Sequence, residues 1–268
     1  MVKHCNRLQG MRQVLRIVGG VVMMTMLMLG SVTIGNYKEA IDEAGKQRMR
    51  IVEIMKDRVM IETHNNYGNP EEDYKHLLSE FDETMSTLQG FVKSEESKKA
   101  LKEAKKEWNT IRAKIQKPFD VKQAERFLSD ADDFIAKENR LIQSLIKESK
   151  LKEGKSEINR AGLLRMLSQK IDLIYLVNSW KGEKDSSELK KQMQESLVLF
   201  RKTLDSLKSS KHNTSETNAI LKKLDRIYFF FKMSSDSDGN YIPTLIDKKC
   251  KQMLAYAKKL VKLYKNAQ

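Results

Sequence analysis

Cysteine, proline and aromatic residues are scarce in this chain of 268 residues, and each scarcity excludes something. The two cysteines, Cys5 and Cys250, form no Cys-x-x-Cys pattern and lie on opposite sides of a long apolar stretch, so no disulfide framework can be built. Only three prolines and twelve glycines interrupt the chain, and aromatics make up 7% of it. No run of alternating β-branched residues reads as a sheet. Catalytic signatures are missing too. His4, His64, His76 and His212 lie apart, with no His-Glu-x-x-His, no glycine-rich phosphate loop and no Gly-x-Ser-x-Gly elbow. No residue supports an enzymatic reading, a cofactor or a metal. Asp130, Asp132 and Asp133 read as a solvated helix face. Residues 236–240, Asp-Ser-Asp-Gly-Asn, lack a calcium loop's final glutamate in register and read as a turn.

What is abundant is Lys, Glu, Leu, Ala, Gln and Met, a composition that favours helix almost throughout. The net charge is +14. The lysines are spread along many amphipathic segments and not gathered into one run, so they read as solvated faces and not as a nucleic-acid surface.

One stretch departs from this pattern. Residues 17–37 run without a charge, after a flank that carries Lys3, Arg7, Arg12 and Arg16 and no acid. That length can cross a hydrocarbon core of about 30 Å as a helix, and the basic flank places the N-terminus in the cytoplasm. A cleaved signal peptide is the alternative. The apolar region is long for one and no Ala-x-Ala site follows, so the reading is an uncleaved single-pass anchor in the inner membrane, with the rest of the chain on the extracytoplasmic side. The methionines here, Met23, Met24, Met26 and Met28, are apolar filler.

Beyond the anchor the spacing of apolar residues predicts an all-α fold of two tandem up-down four-helix bundles, at 38–152 and 153–268. In the first, a helix at 37–63 is expected to continue the membrane helix. The next begin near Pro70, Ser94 and Asp120, the last with a stripe of Ala124, Phe127, Ala131, Phe134, Leu141 and Leu145. The second module has helices at about 156–180, 186–207, 218–233 and 243–264.

The two modules share a motif. Ala44-Gly45-x-x-Arg48-Met49 matches Ala161-Gly162-x-x-Arg165-Met166 at an offset of 117 residues. In the second copy Ile158, Gly162, Arg165, Gln169 and Asp172 form a mostly polar stripe beside an apolar one of Ala161, Leu164, Ser168, Ile171 and Tyr175. Arg165 is therefore expected at the edge of a core or of a helix–helix interface. A glycine inside a helix costs roughly 1 kcal/mol relative to alanine, so Gly162 suggests close approach of another backbone or of a ligand. An arginine there either pairs along the bundle or holds an oxyanion in its planar fork.

The string Asn159-x-Ala161-Gly162-x-x-Arg165-Met166-x-Ser168-Gln169 resembles the P-box of bacterial sensor domains. These are the N-terminal domains of type IV pili methyl-accepting chemotaxis transducers (PilJ type) and of nitrate/nitrite sensor kinases (NarX type). The resemblance implies an extracytoplasmic four-helix bundle opened by the P-box helix, a homodimer, and an anion held by the P-box arginine of both subunits. The matching arginine is Arg165 in the second copy and Arg48 in the first, with Gly162 and Gly45 beside them. The family's two further cations match Arg160 and Lys170 in the second copy, but Glu43 and Glu53 in the first.

Two functions follow. One is a membrane-anchored sensor that binds a small anion such as nitrate or nitrite. Because no second apolar stretch, methyl-accepting coiled coil or kinase core follows Tyr37, it is expected to pass ligand state to a partner signalling protein. The other is a helical envelope- or pilus-associated scaffold with no small-molecule ligand, in which the P-box serves packing. The tandem modules could also pair with each other inside one chain, making a pseudo-dimer without a second subunit.

Overall fold

The computed structural model describes residues 33–150, 155–182, 187–236 and 243–266. All the regular structure in them is helical, in eight α-helices: α1 (Tyr37–Glu62), α2 (Pro70–Phe91), α3 (Glu95–Ile115), α4 (Val121–Glu148), α5 (Lys155–Lys181), α6 (Ser187–Lys208), α7 (Ser215–Asp236) and α8 (Pro243–Asn266). None of these helices is long and apolar enough to cross a membrane. The proposed anchor lies outside the described residues except for its last few positions. The expected turn at 234–240 also falls largely outside them.

The helix starts are written in the sequence. Asn36 is extended (φ −153°), and its side chain accepts the Glu39 N–H at 3.0 Å. The first helix therefore begins afresh at Tyr37 and does not run on from upstream, because an N-cap residue leaves helical geometry to satisfy an orphan donor. Ser94 caps α3 through the Ser97 N–H. Asp120 and Gln123 form a reciprocal capping box on α4.

Each half closes a ring of four. In the first, α1 packs on α2 and α4, and α3 joins these two; in the second, α5 packs on α6 and α8, and α7 joins these. The rings are not independent bodies, since Ile34–Gln268 is one compact unit. The most extensive helix pairing in it joins α1 to α5, one helix from each half. Gly45 lies beside Arg165 and Gly162 beside Arg48, while Lys56 meets Asp172, so the register stays near-constant and the two helices run parallel.

Burial explains the partnership. α5 is buried on nearly all sides, with Ile158, Leu164, Met166, Leu167, Ile171, Leu173, Ile174 and Val177 in the core. α1 is almost as buried, through Ile41, Ile51, Ile54, Met55 and Val59. Both helices also bury charged and polar residues, Arg48 and Asp57 on α1 and Arg165 and Asp172 on α5, so their faces are enclosed whatever their chemistry. Each of the two helices helps to complete the other's enclosure.

Candidate functional site

Arg48 and Arg165 meet at the α1–α5 seam, and both are almost fully buried, at 1% and 3% exposure. The glycines make room for them. A Cβ on Gly162 would meet Arg48 Nη2 at 3.3 Å and Arg165 Nη2 at 3.4 Å. A Cβ on Gly45 would meet Arg165 Nη2 at 3.4 Å and Arg48 Nη2 at 3.5 Å. The close approach anticipated at Gly162 is thus made by guanidinium groups and not by a backbone. Two like charges are held over one pair of glycines.

Their backbone contacts are reciprocal. Arg48 Nη2 donates to the Asn159 carbonyl at 3.3 Å, and Arg165 Nη2 donates to the Asp42 carbonyl at 3.4 Å. Both bonds reach to the same position of the other copy, six residues before its arginine. Side chains then break the symmetry. Arg165 Nη2 lies 2.8 Å from Asp42 Oδ1, an ion pair without hydrogen-bond alignment. No described residue places a carboxylate at that distance from Arg48; its Nη1 donates to Asn139 Oδ1 of α4 at 2.6 Å. Nε of each arginine is buried and has no hydrogen-bond partner among the described residues.

The acid that acts electrostatically on Arg48 is Glu138 of α4. It is fully buried and neither of its oxygens accepts a hydrogen bond. Burial pushes its carboxyl up to about 8, against the pull of Arg48. Its raised carboxyl makes it a weaker counter-ion to Arg48 than an ordinary glutamate. Burial, and then repulsion from Arg165, brings Arg48 down to about 10, with Glu138 opposing. Burial also works to raise Asp42, but Arg165, Lys46 and Lys265 outweigh it and hold its carboxyl below the usual range. Lys265 of α8 donates to Asp42 at 2.9 Å. Among the described residues the two buried guanidiniums have one carboxylate, Asp42, in ion-pair contact, and their open Nε donors suit an oxyanion.

The other residues singled out from sequence are elsewhere. Lys170 pairs with Asp132 on α4. Arg160 is half-buried and makes no hydrogen bond or ion pair with a described residue. Glu43 pairs with Lys46 and Arg50, and so is spent within the first half. Cys250 is a buried free thiol. Asp42, Glu138, Asn139 and Lys265 were not expected at the site. Two of them left a signal. Asp42 matches Asn159 at the offset of the repeat, and Glu138 fills the gap in the α4 stripe between Phe134 and Leu141.

No curated protein and no solved structure matches the chain. A family model does, over a segment that spans α5, α6 and most of α7 and contains Gly162 and Arg165; α1, with Gly45 and Arg48, lies outside the matched residues. Residues 149–228 match the N-terminal domain of type IV pili methyl-accepting chemotaxis transducers, so the chain carries a PilJ-type segment on its second P-box helix.

Proposed function

We propose that this protein is a sensor module that binds a small anion, such as nitrate or nitrite, between Arg48 and Arg165. The observation that carries this reading is the pair of buried arginines facing each other over Gly45 and Gly162 with unpartnered Nε groups. Two guanidiniums at that proximity repel in a poorly screened interior, and an anion between them replaces repulsion by two attractions. Both arginines come from one chain, so the tandem halves supply what two subunits supply in the resemblance. A second copy is not needed to complete the site.

In this reading residues 17–37 anchor the module in the inner membrane with the helices outside the cytoplasm, and a partner protein carries the output. The uncharged run and its basic flank support that arrangement.

The Asp42–Arg165 ion pair favours a second reading, in which the P-box is a packing device of a scaffold. Thermal unfolding of the full chain in nitrate, nitrite and a panel of other anions separates the two. A ligand that binds the native state raises the midpoint by mass action. The sensor reading expects one anion to raise it, and expects that rise to vanish in Arg165→Ala and in Arg48→Ala. A folded chain whose midpoint no anion moves would leave the scaffold.

A further inference from the structure

A cleft of about 810 Å³ runs beside α1 between α2 and α8. Its two ends differ in chemistry. Near the start of α1 its wall is Asp42, Lys46, Arg165 and Lys265, joined in the ion-pair cluster described above. Farther along α1 the lining acids are Glu53 and Asp57, faced by Asp73 of α2. Asp57 is only 6% exposed, and no described residue donates a hydrogen bond to its carboxylate or pairs with it within 4 Å. The adjacent Lys56 is engaged elsewhere, by Asp172 at 3.3 Å and Gln169 at 3.2 Å.

The Asp57 oxygens are not enclosed but open to the cleft, and a carboxylate with so little contact with water and no protein partner gains from a cation that reaches it. Burial pushes the Asp57 carboxyl up to about 7; Lys56 opposes, while Asp73, Glu53 and Asp172 add to the rise. On the opposite wall, α8 presents Lys258, which acts electrostatically on Glu53, while Lys262 lies one turn nearer to Lys265 and the other end of the cleft. Neither lysine has an ion-pair partner among the described residues. No group of three acidic, histidine or cysteine side chains among the described residues is placed to hold a metal ion, so the chemistry points to an organic cation.

We infer that this end of the cleft binds a small zwitterion of the α-amino-acid class, its ammonium on Asp57 and Glu53 and its carboxylate on Lys258. Residues four apart on a helix lie about 6 Å apart, so Glu53 and Asp57 can share one ammonium. The Lys258 side chain is long enough to meet a carboxylate carried next to it. This site is separate from the arginine pair and does not depend on an anion binding there.

The test is calorimetric titration of the full chain with each common L-amino acid in turn. For any that binds, its amide and its N-acetyl form follow. At least one amino acid binds, its N-acetyl form does not, and its amide binds more weakly. Asp57→Asn weakens binding about tenfold or more, equivalent to ~1.4 kcal/mol, without lowering the unfolding midpoint. Lys258→Gln removes the preference for the free acid over the amide. Absence of heat with every amino acid, or wild-type affinity in Asp57→Asn, overturns the assignment. Nitrate in the same titrations keeps the two sites apart, since it responds to Arg165→Ala and not to Asp57→Asn.

Discussion

The P-box helices α1 and α5 are built on one pattern and end in different electrostatic states. Each supplies a glycine and an arginine, and each arginine reaches the same backbone carbonyl of the other helix. At that carbonyl the first copy has Asp42 and the second has Asn159. A single carboxylate thus gives Arg165 an internal counter-ion in contact, while Arg48 bonds an amide and has only the raised carboxyl of Glu138 on its side. A duplicated helix lets one chain keep the geometry of a symmetric pair and vary the charge on one side alone. A true homodimer cannot, because any substitution appears twice.

The largest break in this comparison comes from removing one arginine at a time. Arg165→Ala leaves Asp42 buried with only its lysines, and breaking a buried pair costs up to ~3 kcal/mol. Arg48→Ala orphans no counter-ion and relieves repulsion, so its loss is expected at ~1 kcal/mol. Chemical denaturation of the two variants measures the difference, and equal losses would mean that Asp42 is not the source of asymmetry. Filling the glycines comes next. Gly45→Leu and Gly162→Leu each force both guanidiniums aside, at ~1–3 kcal/mol for overpacking. Alanine at either position meets only the ends of flexible side chains and is tolerated better, so alanine and leucine variants unfolded side by side check this.

Asp42→Asn sharpens the comparison by making the two copies alike at that position. Freed of its counter-ion, Arg165 is expected to hold an anion about tenfold more tightly, ~1.4 kcal/mol, at some loss of stability in anion-free buffer. Nitrate titration of this variant reads the first effect and its melting midpoint the second.

Glu138 gives a pH signature. Its folded-state carboxyl titrates near 8, above its unfolded value. Its contribution to stability is therefore fully present below the ordinary glutamate range and is lost as pH rises through about 8. Each pH unit in which only the folded chain holds the proton is worth at most about 1.4 kcal/mol. Glu138→Gln should flatten the fall in melting midpoint between pH 5 and pH 8.5. The smallest effect is expected at Lys170, whose pair with Asp132 is partly exposed. Lys170→Gln should change stability by less than ~0.5 kcal/mol and leave anion binding unchanged, which would separate it from the two arginines.

Much of this molecule was legible before its structure. Helical periodicity marked the segments that became α1 to α8, and Asp120 and Ser94 announced their own helices, because caps and apolar stripes are local features. The repeat marked Gly45, Arg48, Gly162 and Arg165 together. Arg160 and Lys170 were drawn to the same site by the resemblance, yet neither bonds to the arginine cluster among the described residues, because position along a helix does not say which neighbour claims a side chain. Lys170 found Asp132 on α4. Asp42 and Glu138 went unread for the opposite reason. One acid among the 36 of this chain reads as a solvated charge, and only packing decides that it is enclosed.

The sequence by itself determined an all-helical chain, the starts of α2, α3 and α4, and a glycine–arginine motif written twice. Those properties rest on interactions within a few residues. Only the tertiary structure decided that the two copies face each other, that one arginine is neutralised by Asp42 while the other is not, and that α2 and α8, far apart in the chain, wall a charged cleft along α1. Each of these depends on which apolar faces cover which, and that is settled by burying all the faces at once.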